Sequence, residues 1–314
     1  MARLRIGTRG STLATVQAGD VARALGGAEI ITIATSGDEG QSLADRSAET
    51  STATETKRGR KHGGDKSRFV REIERALLEG EIDLAVHSAK DLPTELPDGL
   101  TLAGVPARLD PADAWVGSAR SLEKVAPGCR IGTASVRRRS QLLAARPDLH
   151  VEELRGNVDS RLRKLGAGDV DALVLASAGL IRLGRDDEAA FALDPESMIP
   201  AAGQGALALE IRAGDQTAAA AASAITHEQS LIELTAERAT IRGLEADCDT
   251  PVGVSARAEA NGLVISAYVG TPDGHRWIRE RVVGDLDQPV ALADSLVARL
   301  ETAGAREILA EAGA

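Results

Sequence analysis

The chain has 314 residues, 43% hydrophobic and 27% charged, which is typical of a globular protein with two or three domains of ordinary size. Its formal net charge of −10 argues against nucleic acid or an anionic membrane as the main partner, because both select basic surfaces. The N-terminus shows no signal-like apolar segment, and no apolar run approaches about 18 residues. We therefore expect a cytoplasmic protein that binds neither nucleic acid nor membrane.

The first third of the chain alternates between strand and helix patterns. Apolar residues recur at period two in the strand-like runs and at helical spacing between these runs. The predicted elements are a strand at 4–8, a helix from Ser11 to Gly26, a strand at 29–34, a helix around 69–77 and a strand at 84–86. This βαβαβ order predicts a mostly parallel sheet.

A second series of the same kind follows Pro111, and a different pattern begins near His227. The second series has strands at 115–116, 130–133, 151–154 and 172–175, and helices at 135–145, 157–165 and 178–183. The last part has a long helix at 230–244, two strands at 263–269 and 277–283, and a final helix pair. We expect two doubly wound α/β domains that face one cleft, followed by a small C-terminal α+β domain.

A polar stretch, residues 45–64, interrupts the first series. It carries Lys57, Arg58, Arg60 and Lys61 and lacks any apolar period. Such a composition cannot bury enough apolar surface to order itself. We expect a mobile loop, with a lid as the alternative.

A cation and a carboxylate stand side by side just after the strand at 84–86. Lys90 and Asp91 follow the predicted carboxyl end of this strand, and Pro93 fixes the next turn. Doubly wound sheets bind their ligands at such strand ends. Lys90 and Asp91 are therefore candidate site residues, and a solvated surface ion pair is the alternative.

Two strand-to-helix turns in the second series carry arginines. Residues 132–138 form a small-residue turn that presents backbone N–H groups to an anion beside Arg137 and Arg138. Residues 154–161 repeat this arrangement one strand later with Arg155 and Arg161. The repeat favours an anion-binding cleft over ordinary helix caps with exposed arginines.

Other motifs say less about function. The segment 203–205 (Gly-Gln-Gly) resembles a dinucleotide loop only superficially, since a strand-like run follows it. The five histidines lack metal-ligand spacing, so we predict no metal site. Both cysteines are expected as free thiols, with a single disulfide between them as the alternative; Cys248 lies in an accessible loop, whereas Cys129 lies at a predicted strand.

Together these segments resemble hydroxymethylbilane synthase (porphobilinogen deaminase) over nearly the whole chain. The motifs that carry the resemblance are residues 4–11, 87–93, 132–138, 154–158, 178–184 and 200–206, and Cys248-x-x-Pro251-x-Gly253. They occur in the family's order and with similar separations. The chain is therefore identified, from sequence, as similar to this family.

The resemblance implies a fold, a cofactor and a reaction. The first two domains, 1–105 with 204–224 and 106–203, resemble the type II periplasmic binding-protein fold, and 225–314 forms the third domain. One dipyrromethane per chain is implied in thioether linkage to Cys248. The implied reaction joins four porphobilinogen molecules head to tail with loss of ammonia, and water then releases linear hydroxymethylbilane from a monomeric enzyme.

The resemblance also assigns site residues, and the chemistry explains their types. Positive charge that develops on pyrrole nitrogens calls for a nearby carboxylate, and the acetate and propionate of each pyrrole call for permanent cations. Asp91 and Lys90 are the implied catalytic residues. Cofactor binding falls on Cys248, Lys90, Asp91, Ser135, Arg137 and Arg138. Substrate binding falls on Arg9, Ser11, Thr133, Arg155, Arg161 and Arg182.

Two segments depart from the family pattern. Residues 63–69 lack the usual Gly-rich run, which puts lid behaviour and substrate contact by Lys66 in doubt. Asp247 replaces the glycine that usually precedes the cofactor cysteine, with consequences for the backbone and the thiol. The rival functions are a non-catalytic anion-binding clamshell and a family member that has lost activity.

Overall fold

The computed structural model describes residues 3–34, 65–247 and 249–313, and the side chains of all these residues except 65–69. The predicted loop or lid at 45–64, the Lys66 side chain and Cys248 lie outside the described residues. The described strands form three sheets, two with five strands and one with three. Two doubly wound α/β units followed by a small C-terminal α+β unit are therefore confirmed.

The first sheet has the strand order β2-β1-β3-β10-β4. Its strands are β1 (Arg5–Arg9), β2 (Glu29–Ile33), β3 (Leu84–Ser88), β4 (Leu100–Gly104) and β10 (Leu207–Arg212). β1 pairs in parallel with β2 and β3, whereas β10 runs antiparallel between β3 and β4. The chain therefore returns to its first sheet after completing the second.

The second sheet has the strand order β7-β6-β8-β5-β9. Its strands are β5 (Asp113–Gly117), β6 (Arg130–Gly132), β7 (His150–Glu152), β8 (Ala172–Ala176) and β9 (Phe191–Leu193). β6 pairs in parallel with β7 and β8, and β5 runs antiparallel between β8 and β9. The two sheets therefore share one topology.

The expectation of mostly parallel sheets is correct for strand direction and wrong for strand pairing. Four strands of each sheet run the same way, because only β10 in the first sheet and β5 in the second are reversed. Each reversed strand lies between two others and makes two antiparallel pairs, as many as the parallel pairs. Both reversed strands adjoin a crossover between the sheets, which a local strand and helix pattern does not reveal.

The third sheet is an antiparallel meander of three strands rather than the two predicted. It consists of β11 (Val252–Glu259), β12 (Gly262–Gly270) and β13 (Trp277–Gly284). The missed strand β11 is joined to β12 by a two-residue turn at Ala260 and Asn261, and Gly262, which begins β12, has a φ of 125°. Asn and Gly are typical turn residues, so the sequence held the information.

Side chains cap the start of several helices. Ser11, Ser135, Asn157 and Asp215 each accept a hydrogen bond from the backbone N–H three residues further on. The described helices are α1 (Thr12–Ala24), α2 (Asp65–Leu78), α3 (Val136–Ala145), α4 (Val158–Gly166), α5 (Ser177–Arg182), α6 (Gln216–Ala224), α7 (Glu228–Gly243), α8 (Pro289–Thr302) and α9 (Ala305–Ala312).

The first sheet is buried on both faces. Leu84 and Val86 of β3 belong to a core with α1 and α6, whereas Ala85 between them faces a core with Ile73 of α2. This double burial explains why the strand reads as a continuous apolar run. Within the described ranges, no helix is long and apolar enough to cross a membrane.

Candidate active site

Lys90 and Asp91 lie on a short 3₁₀ turn, Ala89–Asp91, that directly continues β3. The backbone N–H of Ala89 donates to the carbonyl of Ala206, which ties the turn to the chain entering β10. Both side chains are half-buried. The Nζ of Lys90 donates to Oε1 of Gln204 at 3.3 Å.

Gln204 connects this turn to the second sheet. Its Nε2 donates to the carbonyl of Pro111 at 2.6 Å and to Oδ1 of Asp113 at 2.8 Å, and the side chain is buried. The flanking glycines have positive φ, and a Cβ on Gly205 would stand 2.3 Å from the carbonyl oxygen of Leu109. The Gly-Gln-Gly segment thus serves a close crossing of two chain segments, and β10 follows it as expected.

Asp113, at the start of β5, is a buried carboxylate between two arginines. Its Oδ2 lies 2.8 Å from Nη2 of Arg137, and its Oδ1 lies 2.8 Å from Nη2 of Arg138. Burial alone would raise the pKa of Asp113, but the two guanidiniums and the Gln204 amide outweigh it and hold this pKa well below its usual range. The carboxylate is therefore ionised and neutralises much of the local positive charge.

Arg137 and Arg138 point into the protein. The Nη1 of Arg137 donates to the carbonyl of Ile199 and that of Arg138 donates to the carbonyl of Val174, at 2.8 and 2.9 Å. Burial lowers the pKa of Arg137, and Asp113 opposes this shift. Both guanidiniums already bind Asp113, so their contact with cofactor carboxylates stays a prediction.

Arg161, on α4, places a partly desolvated positive charge near the Ala89–Asp91 turn. Burial, reinforced by the charge of Arg138, lowers its pKa to about 10, and the charge of Asp91 acts in the opposite direction. Its Nε is buried and has no hydrogen-bond partner among the residues that the structure describes. Asp91 from the first sheet and Arg161 from the second therefore lie within electrostatic reach of each other.

The other predicted residues occupy strand ends and helix starts around this centre. Arg182 donates from Nη2 to the carbonyl of Gly205 at 2.9 Å, and burial lowers its pKa. Arg155 is exposed and donates from Nε to Oε1 of Glu153 at 2.5 Å. The remaining residues are Arg9 at the end of β1, Ser11 as the cap of α1, and the pair Thr133 and Ser135. The backbone N–H of Ser135 donates a hydrogen bond to the hydroxyl of Thr133 at 3.2 Å.

The structure thus brings Lys90, Asp91, Arg138 and Arg161 into one region and leaves Arg155 at its exposed edge. The described residues contain no cluster of His, Cys, Asp or Glu that could hold a metal ion. Sequence reasoning missed the roles of Asp113 and Gln204: Asp113 is not singled out there, and Gln204 appears only within the Gly-Gln-Gly segment and the 200–206 motif. Their placement beside crossovers was the available signal.

The region fits a small polyanion. A buried guanidinium with a lowered pKa and an unused N–H costs free energy in the protein alone, and a carboxylate placed beside it recovers that cost. Dipyrromethane carries an acetate and a propionate on each ring, so its charge matches such a site. Arg161 and Arg182 are half-buried, and their contact with these groups stays a prediction.

Comparison with known proteins decides the family. Residues 4–220 match the family profile "Porphobilinogen deaminase, dipyromethane cofactor binding domain", and residues 231–302 match "Porphobilinogen deaminase, C-terminal domain". The chain belongs to the porphobilinogen deaminase family. Its resemblance to this family, inferred from motifs, is therefore confirmed, and the cofactor-binding domain is that for dipyrromethane.

Curated relatives of the same name align over most of this porphobilinogen deaminase family member. The porphobilinogen deaminase of Thermus thermophilus is 45% identical over 314 residues, 98% of each chain. That of Deinococcus radiodurans is 41% identical over 317 residues, again 98% of each chain. A solute-binding protein of Desulfovibrio salexigens aligns over 73% of each chain at 10% identity, with a TM-score of 0.40.

Proposed function

We propose that this chain is a hydroxymethylbilane synthase. It joins four porphobilinogen molecules head to tail with loss of ammonia, on a dipyrromethane attached to Cys248, and releases linear hydroxymethylbilane with water. The observation that carries the proposal is that the turn with Lys90 and Asp91, from the first unit, meets an arginine of the second unit: Lys90 Nζ and Arg138 Nη2 lie 3.3 and 3.4 Å from the same oxygen, Oε1 of Gln204. A carboxylate and several cations in one cleft are what a cationic transition state on a polycarboxylate chain requires.

Asp91 acts on the pyrrole ring. Loss of ammonia from porphobilinogen leaves an electron-poor carbon, and attack by a pyrrole places positive charge on ring nitrogen. The Asp91 carboxylate accepts the hydrogen bond of the pyrrole N–H and stabilises that charge, and it assists the proton transfer that restores aromaticity. Lys90, held by Gln204, keeps a second charge beside the reacting rings.

The arginines hold the side-chain carboxylates of the pyrroles. Arg161 and Arg182 are half-buried and bind in a low-dielectric setting, where each charge-assisted hydrogen bond is strong. Arg155 is exposed and paired with Glu153, and an exposed pair of this kind is weak enough for a substrate carboxylate to displace.

When bound, dipyrromethane supplies the terminal pyrrole carbon that attacks the first substrate.

Cys248 is the proposed attachment site, and the residues around position 248 support an accessible turn. The N–H of Asp247 donates to Oγ1 of Thr250 at 3.0 Å, and Oδ1 of Asp247 accepts from the N–H of Asp249. In the described part of the chain, Glu245 is the only residue other than glycine that has a positive φ, so Asp247 has ordinary backbone geometry. The aspartate in place of the family's glycine therefore causes no backbone strain there.

Cys129 suits the chemistry less. Its thiol is half-buried, and burial, together with the charge of Asp171, raises its pKa. A raised pKa lowers the fraction of thiolate, which is the nucleophile needed for attachment. This difference between the two cysteines gives the test of the proposal a matched control.

Intact-mass measurement of purified Cys248→Ser and Cys129→Ser proteins tests the function. The parent and Cys129→Ser should carry an adduct of two deaminated porphobilinogen units and convert porphobilinogen to hydroxymethylbilane. Cys248→Ser should carry neither the adduct nor the activity. An adduct that persists in Cys248→Ser and disappears in Cys129→Ser would show that the cofactor is attached to Cys129 instead. A parent protein that never acquires an adduct would refute the proposed function.

Three finer statements belong to the same proposal. The domains are 1–105 with 204–224, 106–203, and 225–314, and the assignment of β10 to the first sheet supports this division. We propose that the enzyme is cytoplasmic and monomeric. Light scattering on a sizing column and cell fractionation test these last two statements.

A further inference from the structure

A second group of buried ionisable side chains lies behind the catalytic turn. His87 of β3 and Glu210 of β10 are both buried, and Nε2 of His87 lies 3.0 Å from Oε2 of Glu210. His87 is opposite Ala208 in the sheet and Glu210 is opposite Ala85, so all four residues share one face. Glu74, also buried, approaches this face from α2.

This group is costly for the fold. Oε1 of Glu210 and Oε1 of Glu74 are buried and have no hydrogen-bond partner within the described part of the chain. Burial raises the pKa of Glu74, and the nearby charge of Glu210 raises it further, while His87 and Arg71 act against this shift. The neighbours of Glu210 on β10 are otherwise apolar, so packing alone does not require an ionisable side chain at this position.

The other end of the catalytic turn is held by an arginine of the third unit. Arg238 of α7 donates from Nη2 to the carbonyls of Pro93 and Thr94, at 2.7 and 3.0 Å, and from Nη1 to that of Leu92 at 3.3 Å. Burial and the nearby Arg242 lower the pKa of Arg238, and the charge of Glu210 opposes this shift. Arg238 thus fixes the end of the segment that contains Lys90 and Asp91, and the His87–Glu210 pair lies at its start.

We propose that Glu210 is a positioning residue for the catalytic turn, the 3₁₀ turn Ala89–Asp91, acting through its hydrogen bond to His87 just before the turn begins. The inference rests on the proposed function, in which Lys90 and Asp91 act on the substrate. Glu210 touches neither reacting atoms nor cofactor. Its contribution is to fix the 88–94 segment, so that the Asp91 carboxylate meets the pyrrole nitrogen in the correct place.

The test compares Glu210→Gln with Glu74→Gln in protein whose dipyrromethane content is verified by intact mass. Both changes replace a buried carboxyl by an amide of the same shape, but only Glu210 bonds to His87. Glu210→Gln should lower kcat by about 10-fold to 100-fold, as a misplacement on the order of 1 Å does, and leave KM within about 2-fold. Glu74→Gln should stay near the parent.

Hydrogen exchange of the 88–94 peptide gives a readout independent of turnover. Glu210→Gln should exchange faster there than the parent, and Glu74→Gln should not. Equal kcat and equal exchange in the two variants would overturn the proposal. If Glu210→Gln fails to fold, His87→Phe removes the same hydrogen bond while keeping a buried ring, and it should give the same pattern. A parent without activity would refute the proposed function, while the exchange data would still decide the positioning role.

Discussion

Lys90 and Asp113 belong to different α/β units and are bridged by one side chain, the amide of Gln204. The Nζ of Lys90 donates to its Oε1 at 3.3 Å, and its Nε2 donates to Oδ1 of Asp113 at 2.8 Å. Oε1 also lies 3.4 Å from Nη2 of Arg138. A change in the relative position of the two units therefore acts directly on the amide that holds Lys90, which we propose to be catalytic.

Replacing Gln204 by leucine should separate stability from catalysis when compared with Gln141→Leu. Gln141 is also a buried amide, bonded to the N–H and carbonyl of Ile199, but it makes no contact with Lys90. Each variant should lose about 1–3 kcal/mol of unfolding free energy in urea, because buried partners are left unsatisfied. Only Gln204→Leu should also reduce kcat/KM for porphobilinogen. Indistinguishable kinetics in the two variants would show that the bridge is merely structural.

Asp113→Asn should destabilise the fold strongly at neutral pH. It leaves two buried guanidiniums without their counter-charge, and breaking a buried pair costs about 3–5 kcal/mol. Asp171→Asn, which breaks an exposed pair with Arg130, is the control and should cost little. Urea unfolding of both variants at pH 7 measures the difference.

The penalty of Asp113→Asn should also depend on pH. The folded-state pKa of Asp113 is depressed below its ordinary value of 3.8, so its carboxylate contributes stability that is fully present above that value. This contribution is lost as the pH falls toward the folded-state pKa. The gap in unfolding free energy between parent and variant should therefore be constant from about pH 5 to 8 and shrink below about pH 4. A gap that widens in acid would contradict the assignment.

Local patterns predicted most of the described elements because each helix and strand carries its own periodicity and caps. Ser11, Ser135 and Asn157 cap helices where the sequence predicts a helix start. A cap needs only a side-chain oxygen that accepts from the backbone N–H three residues later, so a short stretch of sequence is enough to predict it. Strand reversal at β5 and β10 was not predictable in this way. The position of a strand in a sheet depends on crossovers between distant segments, and these leave no periodic signal.

The same distinction applies to the site. Lys90 and Asp91 were identified because they follow a buried strand, and strand ends are places where ligands bind. Arg137 and Arg138 were expected to face an anion, but burial turns both toward Asp113. A sequence shows that arginines start a helix, yet the partner of each guanidinium is 24 or 25 residues away along the chain. Only the folded structure reveals that pairing.

Arg161→Met should keep or raise the stability of the protein while impairing cofactor assembly. The folded-state pKa of Arg161 is lowered to about 10, so the side chain is still protonated at neutral pH, but its charge is less stable in the folded protein than in the unfolded chain. Methionine, of similar length, removes that cost. Arg163→Met, an exposed change on the same helix, is the control. Unfolding in urea and the adduct fraction by intact mass measure the two effects. A large loss of stability in Arg161→Met would show that the guanidinium is structural.

Asp91→Asn should lower kcat for porphobilinogen by about 10²-fold or more and change KM little. A carboxylate that stabilises developing positive charge acts mainly in the transition state, and its neutral isostere keeps ground-state binding. Asp83→Asn is the matched control on the same β3 segment, because Asp83 pairs with Arg5 at the opposite end of the strand. This control should affect stability and leave kcat near the parental value. Both variants should be assayed after intact mass has verified their dipyrromethane content.

Asp91→Glu tests whether the position of the charge matters at every condensation. It keeps the carboxylate but moves it by about one methylene, and sub-ångström placement governs such chemistry. The variant should retain partial activity and accumulate covalent species with one to three added pyrroles, which intact mass resolves. That series would locate the defect in elongation rather than in initial binding. If the cofactor-loaded Asp91→Asn enzyme instead turned over at the parental rate, Asp91 would serve only as a structural neighbour of Lys90 and Arg161, and another carboxylate of the cleft would have to stabilise the pyrrole cation.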